Sequence, residues 1–386
     1  MQLETVKFLS KFEDPIEALK AIEEKYGIHS IPHEKYPNIV QLKYDQVKSP
    51  EAHPIVRECR GLILDYNENW EIKAYPFRRF YNYGSHHADG IDWKSATIWD
   101  KVDGSLMFMY ELYGEWEIAS SGMPDARGQV GHNDFSMKEL FLKTWKELGY
   151  EMPDIKYKYT YIFEMATPEN VVIVPHKDSR IVFIGARCHN DFNEHSIDPI
   201  PTKWERPEKY DVRSEEDAYR MCEQMNPMEK EGFVIVDRNF NRVKMKSPQY
   251  AAIGHLGLTK EEVVKKGLDP KKVDERTQKK WMLKIVLTNE CDEFLTYYPQ
   301  YKSLYDEIDA KFTKFMSEAQ ALYDDAIATT NNHFEFATKV KGHPLNGVLF
   351  KLKDGVFESL KSAIIEITQN RSGIKRVLKE VLKINI

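Results

Sequence analysis

Lys101-Val102-Asp103-Gly104-Ser105 runs directly into Leu106-Met107-Phe108-Met109-Tyr110, an apolar stretch with the texture of a buried strand. A lysine in such a place can attack the α-phosphate of a nucleotide and hold it as a phosphoramidate, provided the amine is neutral. Burial or neighbouring cations would favour the neutral form. Gly104 lets backbone come close to a ligand, and Asp103 could contact a ribose or orient the site. The same five residues also read as an ordinary turn, because Asp-Gly is a common turn pair.

Working outward, other segments carry the side chains that nucleotide chemistry needs. Glu164 follows the strand-like Tyr159-Thr160-Tyr161-Ile162-Phe163, and Glu231-Gly232 opens another strand at Phe233. In Val243-Lys244-Met245-Lys246 the two lysines fall on one face, because side chains alternate along an extended chain. Carboxylates of this kind can hold a metal ion, and lysines can neutralise a departing pyrophosphate. Each taken alone also reads as a solvated edge residue.

Taken in order, these segments resemble the motif series of the covalent nucleotidyltransferases, the superfamily of ATP- and NAD-dependent ligases and mRNA capping guanylyltransferases. Lys101–Gly104 matches motif I, Phe163-Glu164 motif III, Arg180–Ala186 motif IIIa, Glu231-Gly232 motif IV and Lys244–Lys246 motif V. Arg57-Glu58-Cys59-Arg60-Gly61 and Pro76-Phe77-Arg78-Arg79-Phe80-Tyr81-Asn82 narrow the likeness. They resemble segments of the tRNA-repair RNA ligases of T-even bacteriophages, as do Glu164–Val174 and Lys244–Tyr250. The similarity covers most of residues 40–250 and continues more weakly beyond.

The resemblance implies an ATP-dependent RNA ligase. Lys101 would form lysyl-AMP, Glu164 would contact the ribose, and Glu231 would help hold the metal. Lys244 and Lys246 would contact the α-phosphate and Arg60 the ATP phosphates, while Tyr44 would contribute to the nucleotide pocket across a one-residue gap. Arg79 stands where the family has a phosphate-contacting lysine, which keeps the charge but changes the geometry. Ser121 stands where the family has a further lysine, so no role is carried over to it. Asp292 aligns with a metal-associated aspartate and reads equally as a solvated helix carboxylate. The implied cofactors are ATP and Mg²⁺, for which Mn²⁺ could stand in. The implied partner is RNA with 5′-phosphate and 3′-hydroxyl ends, such as a cleaved tRNA. Other readings are a DNA ligase or capping guanylyltransferase with the same core, or a non-catalytic RNA-binding relative.

The chain texture divides the molecule. From about Ile39 to Lys246 short apolar strands alternate with turns, among them Gly61–Leu64, Val171–Val174, Ile181–Ile184 and Phe233–Val236, with a helix near Met137–Leu148. An earlier helix is marked by Asp14 as cap, Pro15 in the first turn, a stripe of Ile16, Leu19 and Ile22, and Gly27 as stop. Past Tyr250, helical spacing takes over at Leu304, Ile308, Phe312, Phe315, Ala319 and Leu322. It recurs at Val356, Leu360, Ala363 and Ile367, and at Ile374, Val377, Leu378 and Val381. The expected fold is therefore α+β. An adenylyltransferase (nucleotidyltransferase) domain over 1–250 would have ATP-grasp-like antiparallel sheets with flanking helices. An all-helical RNA-specificity domain over 251–386 would follow.

Composition sets the remaining bounds. The 386 residues carry a net charge of −6, which argues against unspecific coating of nucleic acid but leaves room for a local basic groove. The 21 Tyr, 19 Phe and 7 Trp suit both a core and base stacking. Cys59, Cys188, Cys222 and Cys291 show no zinc-like spacing and read as reduced thiols of a cytoplasmic protein, a host's cytoplasm if phage-encoded. Lys7, Lys11 and Glu13 interrupt any signal core, and no apolar run approaches the roughly 20 residues of a membrane span, so no membrane partner is expected; a monomer is the expected state. His86-His87 lacks a third ligand in sequence, and neither a P-loop nor a nucleophile elbow is present. Arg371, Lys375, Lys379 and Lys383 along the last helix could touch RNA phosphates or simply face water, as could Lys265, Lys266, Lys271, Lys272, Lys279 and Lys280.

Overall fold

A computed structural model describes residues 3–46, 48–154, 159–189, 191–198, 200, 202–256, 274–288, 291–330, 332–357, 359–368 and 371–384. The chain forms two compact units, Met1–Tyr250 and Ala251–Ile386. No described helix is long and apolar enough to cross a membrane.

In the first unit the described strands are β1 (Ile28–Pro32), β2 (Ile39–Tyr44), β3 (Arg60–Asp65), β4 (Glu71–Ala74), β5 (Tyr81–Asn82), β6 (Thr97–Lys101), β7 (Ser105–Leu112), β8 (Glu115–Ser120), β9 (Tyr159–Ala166), β10 (Arg180–Cys188), β11 (Glu194–His195), β12 (Lys209–Tyr210), β13 (Gly232–Val236) and β14 (Arg242–Lys246). They form three sheets, ordered β1-β2-β3-β4, β11-β10-β9-β7-β8 and β12-β6-β13-β14-β5. Strand pairing is antiparallel except between β14 and β5. Lys101 ends a strand of the third sheet and Ser105 begins a strand of the second, so Lys101–Ser105 is the link between two sheets.

Local chemistry explains most boundaries. The Asp14 side chain accepts from the Ile16 amide, and Gly27 closes the helix Pro15–Tyr26 at φ 64°, a left-handed position suited to glycine. Leu19 and Ile22 are buried as expected, but Ile16 is 59% exposed and Ala18 takes its place in the core. A short helix, Glu4–Leu9, precedes this one. Ser136 and Glu139 form a capping box that starts the helix Met137–Glu147. That helix lays Phe141 and Trp145 over the second sheet, where Phe163, Phe183 and Trp204 pack with ring centroids 5.1–5.7 Å apart.

Val171–Val174 is not a strand: it is an irregular loop with Val171 and Val172 exposed. Its Ile173 and Val174 amides donate to the Asp103 carboxylate instead of to a neighbouring strand.

The described residues of the second unit hold helices and no strand. The helix Lys302–Thr329 buries Ile308, Phe312, Ala319 and Ala326. The helix Leu360–Ile367 begins at its Ser359 cap, which leaves Val356 outside it and 61% exposed. Ile374, Val377, Leu378 and Val381 are all buried, but across Arg371–Arg376 and a following π-helical turn, Val377–Val381. Lys383 lies beyond that turn, so the basic face along a single last helix does not extend to it. Lys265, Lys266, Lys271 and Lys272 lie outside the described residues, and Lys279 pairs with Glu275 at 2.6 Å.

One backbone approach is decisive. A Cβ on Gly232 would stand 2.2 Å from the Met245 carbonyl oxygen and 2.6 Å from the Lys246 Cα, at a φ of +153°. Gly232→Ala is therefore expected to destabilise the first unit by about 2 kcal/mol or more, read as a lowered thermal midpoint.

Candidate active site

Sheet register assembles the site. Gly232 at the start of β13 pairs with Lys101 on β6 at one side and with Lys246 on β14 at the other. Glu231, the preceding residue, is thereby placed between the two lysines. Lys101 Nζ donates to Glu231 Oε2 at 2.7 Å, and Lys246 Nζ lies 4.0 Å from Oε1. Lys244 sits two residues back on the same strand, opposite Val234.

The second sheet contributes Glu164, which pairs with Leu106 on β7 and Val182 on β10. Its side chain keeps some exposure to a cleft but is otherwise surrounded by protein. Burial, with the Glu231 carboxylate adding to it, pushes the Glu164 carboxyl up to about 7, although Lys101 and Arg60 pull the other way. Arg60 is itself held below the usual guanidinium range by burial. Its guanidinium lies 5.1 Å from the Phe80 ring centre, and its buried Nη1 has no hydrogen-bond partner.

These groups line one cleft of about 400 Å³ in the first unit. Arg60, Lys101, Glu164, Glu231, Lys244 and Lys246 are among its polar lining, with Glu194, His195 and Arg242 also on the wall. Phe77, Phe80, Leu106, Ile184 and Val234 supply apolar wall. Such a division suits a ligand with a flat apolar group at one end and phosphates at the other.

Asp103 does not face the cleft. It is 4% exposed, and Tyr250 Oη donates to it at 2.8 Å while the Ile173 and Val174 amides donate to its other oxygen. His176 Nε2 donates to the Asp103 carbonyl at 2.6 Å. Asp103 therefore orients the link that carries Lys101. Gly104 is needed there because a Cβ would stand 2.4 Å from the Met165 carbonyl oxygen.

Tyr44 and Arg79 stand together outside the cleft lining. The Arg79 guanidinium lies 4.3 Å from the Tyr44 ring centre and 5.2 Å from that of Tyr81, and it donates to Glu51 at 3.2 Å. His87 also approaches Glu51, at 3.5 Å. Asp292 belongs to the second unit, where its neighbours include Cys291 and Tyr305. Near Ser121, the Lys43 amine comes 3.5 Å from where a Gly122 Cβ would stand, so a cation reaches that turn from β2. Two features, one on the cleft wall and one behind it, had no signal in a motif reading. Arg242, packed 4.2 Å from the Phe77 ring centre, pairs with Glu194, and the 171–174 loop supplies the amides that anchor Asp103.

Residues 58–250, half of the chain, match the family model described as RNA ligase. The chain belongs to this RNA ligase family. A protein of the Autographa californica nuclear polyhedrosis virus, named as a bifunctional polynucleotide kinase/RNA ligase, is 22% identical over 365 residues, 90% of this chain and 49% of that protein. An RNA ligase of Rhodothermus phage RM378 is 24% identical over 320 residues, 66% of this chain and 72% of that enzyme. The chain thus spans about half the length of the baculovirus relative. A solved archaeal ATP-dependent RNA ligase superposes with a TM-score of 0.44 at 11% identity, over 76% of this chain and 80% of that one.

The raised Glu164 carboxyl makes stability depend on pH. Below its ordinary value of 4.5 the folded and unfolded chains both carry the proton. As pH rises, the unfolded chain ionises first, so folding loses stability until the folded group ionises near 7. In the ligand-free protein Glu164→Gln is expected to raise stability by on the order of 1–3 kcal/mol at about pH 8 and to change little at about pH 4, read from thermal midpoints.

Proposed function

We propose that this protein is an ATP-dependent RNA ligase that joins 5′-phosphate and 3′-hydroxyl RNA ends through lysyl-AMP and RNA-adenylate. The observation that carries the reading is the 2.7 Å contact between Lys101 and Glu231 inside a cleft that also holds Glu164, Lys244, Lys246 and Arg60.

Lys101 Nζ attacks the α-phosphorus of ATP, the nitrogen–phosphorus bond forms, and pyrophosphate leaves. To attack, the amine must give up a proton, and the Glu231 carboxylate is the acceptor within reach. Lys244 and Lys246 stand on the same wall, where they stabilise charge on the α-phosphate. Arg60, with an unpartnered Nη1, is available to the phosphate tail. Glu164 is within the same cleft to bind the ribose hydroxyls, and the stacked Tyr44 and Arg79 extend the cationic surface toward Glu51. The AMP then passes to an RNA 5′-phosphate, and a 3′-hydroxyl attacks that phosphate and releases AMP.

A divalent ion fits the donors present. Glu231 is the carboxylate that would hold it, and a bound cation would also offset the Glu231 charge that adds to the raised Glu164 carboxyl. Mg²⁺ or Mn²⁺ there would neutralise phosphate charge. Asp292 is kept as a proposed metal-associated residue of the second unit.

Among relatives with this core, the helical second unit favours RNA ligase over DNA ligase or capping enzyme, because no described residue of it forms a strand of an OB-fold. We assign that unit to recognition of the RNA, with a cleaved tRNA as the proposed substrate.

Incubation with α-labelled ATP and Mg²⁺ is expected to label the protein on a denaturing gel, and Lys101→Ala is expected to abolish the label. Label that survives Lys101→Ala, or that comes from GTP and not ATP, contradicts the assignment. Sealing of RNA but not DNA ends separates the two ligase readings.

A further inference from the structure

The hairpin formed by β10 and β11 carries a group of side chains to which the proposed nucleotide transfer gives no role, although His195 also lines the cleft. Cys188 ends β10, and the chain returns through Asp191 to His195 on β11. The Cys188 amide donates to the Asn193 carbonyl at 3.1 Å and closes the turn. Ala186 pairs with His195, so Cys188, two residues on from Ala186, emerges on the same face as His195. Asp191 is fixed in the turn by the Asn193 amide and side-chain nitrogen, at 2.9 and 2.8 Å. One ligand atom each from Cys188, Asp191 and His195 lies within 4.8 Å of the others.

Two further observations point to a ligand. His195 Nε2 is shut off from solvent and has no hydrogen-bond partner, which is costly for an imidazole nitrogen. Cys188 is 8% exposed, so its thiol, within hydrogen-bond reach of the Tyr159 hydroxyl, is shielded from bulk solvent while standing beside two other donors.

We propose that Cys188, Asp191 and His195 form a site for a zinc-class transition metal ion. Thiolate, imidazole and carboxylate together are the donor set of Zn²⁺ and its analogue Co²⁺, whereas Mg²⁺ takes oxygen ligands. Zinc–ligand bonds of about 2.0–2.3 Å place donors roughly 3.5 Å apart, so closure by about 1 Å of side-chain motion completes the site. Three protein ligands leave a fourth position for water. Binding releases the thiol proton, with no oxidation state changed. The bound ion clamps the hairpin bearing Glu194, whose pair with Arg242 forms part of the cleft wall. This site is separate in chemistry from the carboxylates Glu164 and Glu231, and its failure would leave the ligase reading untouched.

The test is a titration of the chelator-treated full chain with Co²⁺ in excess Mg²⁺. One Co²⁺ per chain, the visible bands of a tetrahedral site and a sulfur-to-cobalt charge-transfer band are expected, all lost on adding Zn²⁺. Cys188→Ser should remove the charge-transfer band, and His195→Ala and Asp191→Asn should each weaken binding at least tenfold. Zn²⁺ should raise the thermal midpoint of the wild type and not that of these variants. Asp191 lies on the exposed turn, so Asp191→Asn decides the matter if Cys188→Ser fails to fold. Absence of a sulfur band, its survival in Cys188→Ser, or unchanged affinity in Asp191→Asn and His195→Ala overturns the proposal.

Discussion

Glu231 between two lysines is the interaction on which the first unit's chemistry depends. A carboxylate and an ammonium group taken out of water cost several kcal/mol each, and their attraction offsets this only when the geometry is good. Here the geometry comes from backbone pairing. Strand β13 lies between β6 and β14, and Gly232 faces Lys101 on one side and Lys246 on the other. No side chain fits at Gly232, so the three strands approach closely enough for Glu231 to meet both amines. The pair is better understood as fixing positions than as adding stability.

The link from Lys101 to Ser105 carries a second constraint. It crosses from one sheet to another, and a free crossing would leave the lysine poorly held. Asp103 prevents this by accepting from two amides of the 171–174 loop and from Tyr250, while His176 holds its carbonyl. A buried carboxylate with three donors is satisfied, and it ties the lysine both to the 171–174 loop and to the last residue of the first unit. Glu164, reaching in from the second sheet, meets a different fate. It is hemmed in by protein, and that burial, with the Glu231 charge adding to it, is what raises its carboxyl.

Family membership and site geometry bear on different questions. The match over residues 58–250 ends where the first compact unit ends, at Tyr250. It covers every residue that lines the polar part of the cleft. The helical unit lies beyond that match and is made of apolar helix faces packed on one another, as Ile308, Phe312 and Ala319 illustrate.

The sequence alone determined the chemical inventory and its order. That Lys101, Glu164, Glu231, Lys244 and Lys246 belong together follows from the ordered motif resemblance, and the structure brings all five to one cleft; period-two alternation puts the two lysines on one face. Helix ends at Asp14 and Gly27 were legible, because capping is local. The valine run at 171–174 was misread as a strand, because β-branched residues favour extended backbone while only a distant carboxylate decides where its amides donate. Ile16 and Val356 were misplaced because periodicity cannot tell which face finds a partner. The tertiary structure alone decided that Asp103 is an anchor, that Arg79 stacks on Tyr44, and that Cys188, Asp191 and His195 converge across a hairpin turn. Each depends on contacts between residues whose meeting is fixed by sheet register and chain reversal, which no local pattern of side chains encodes.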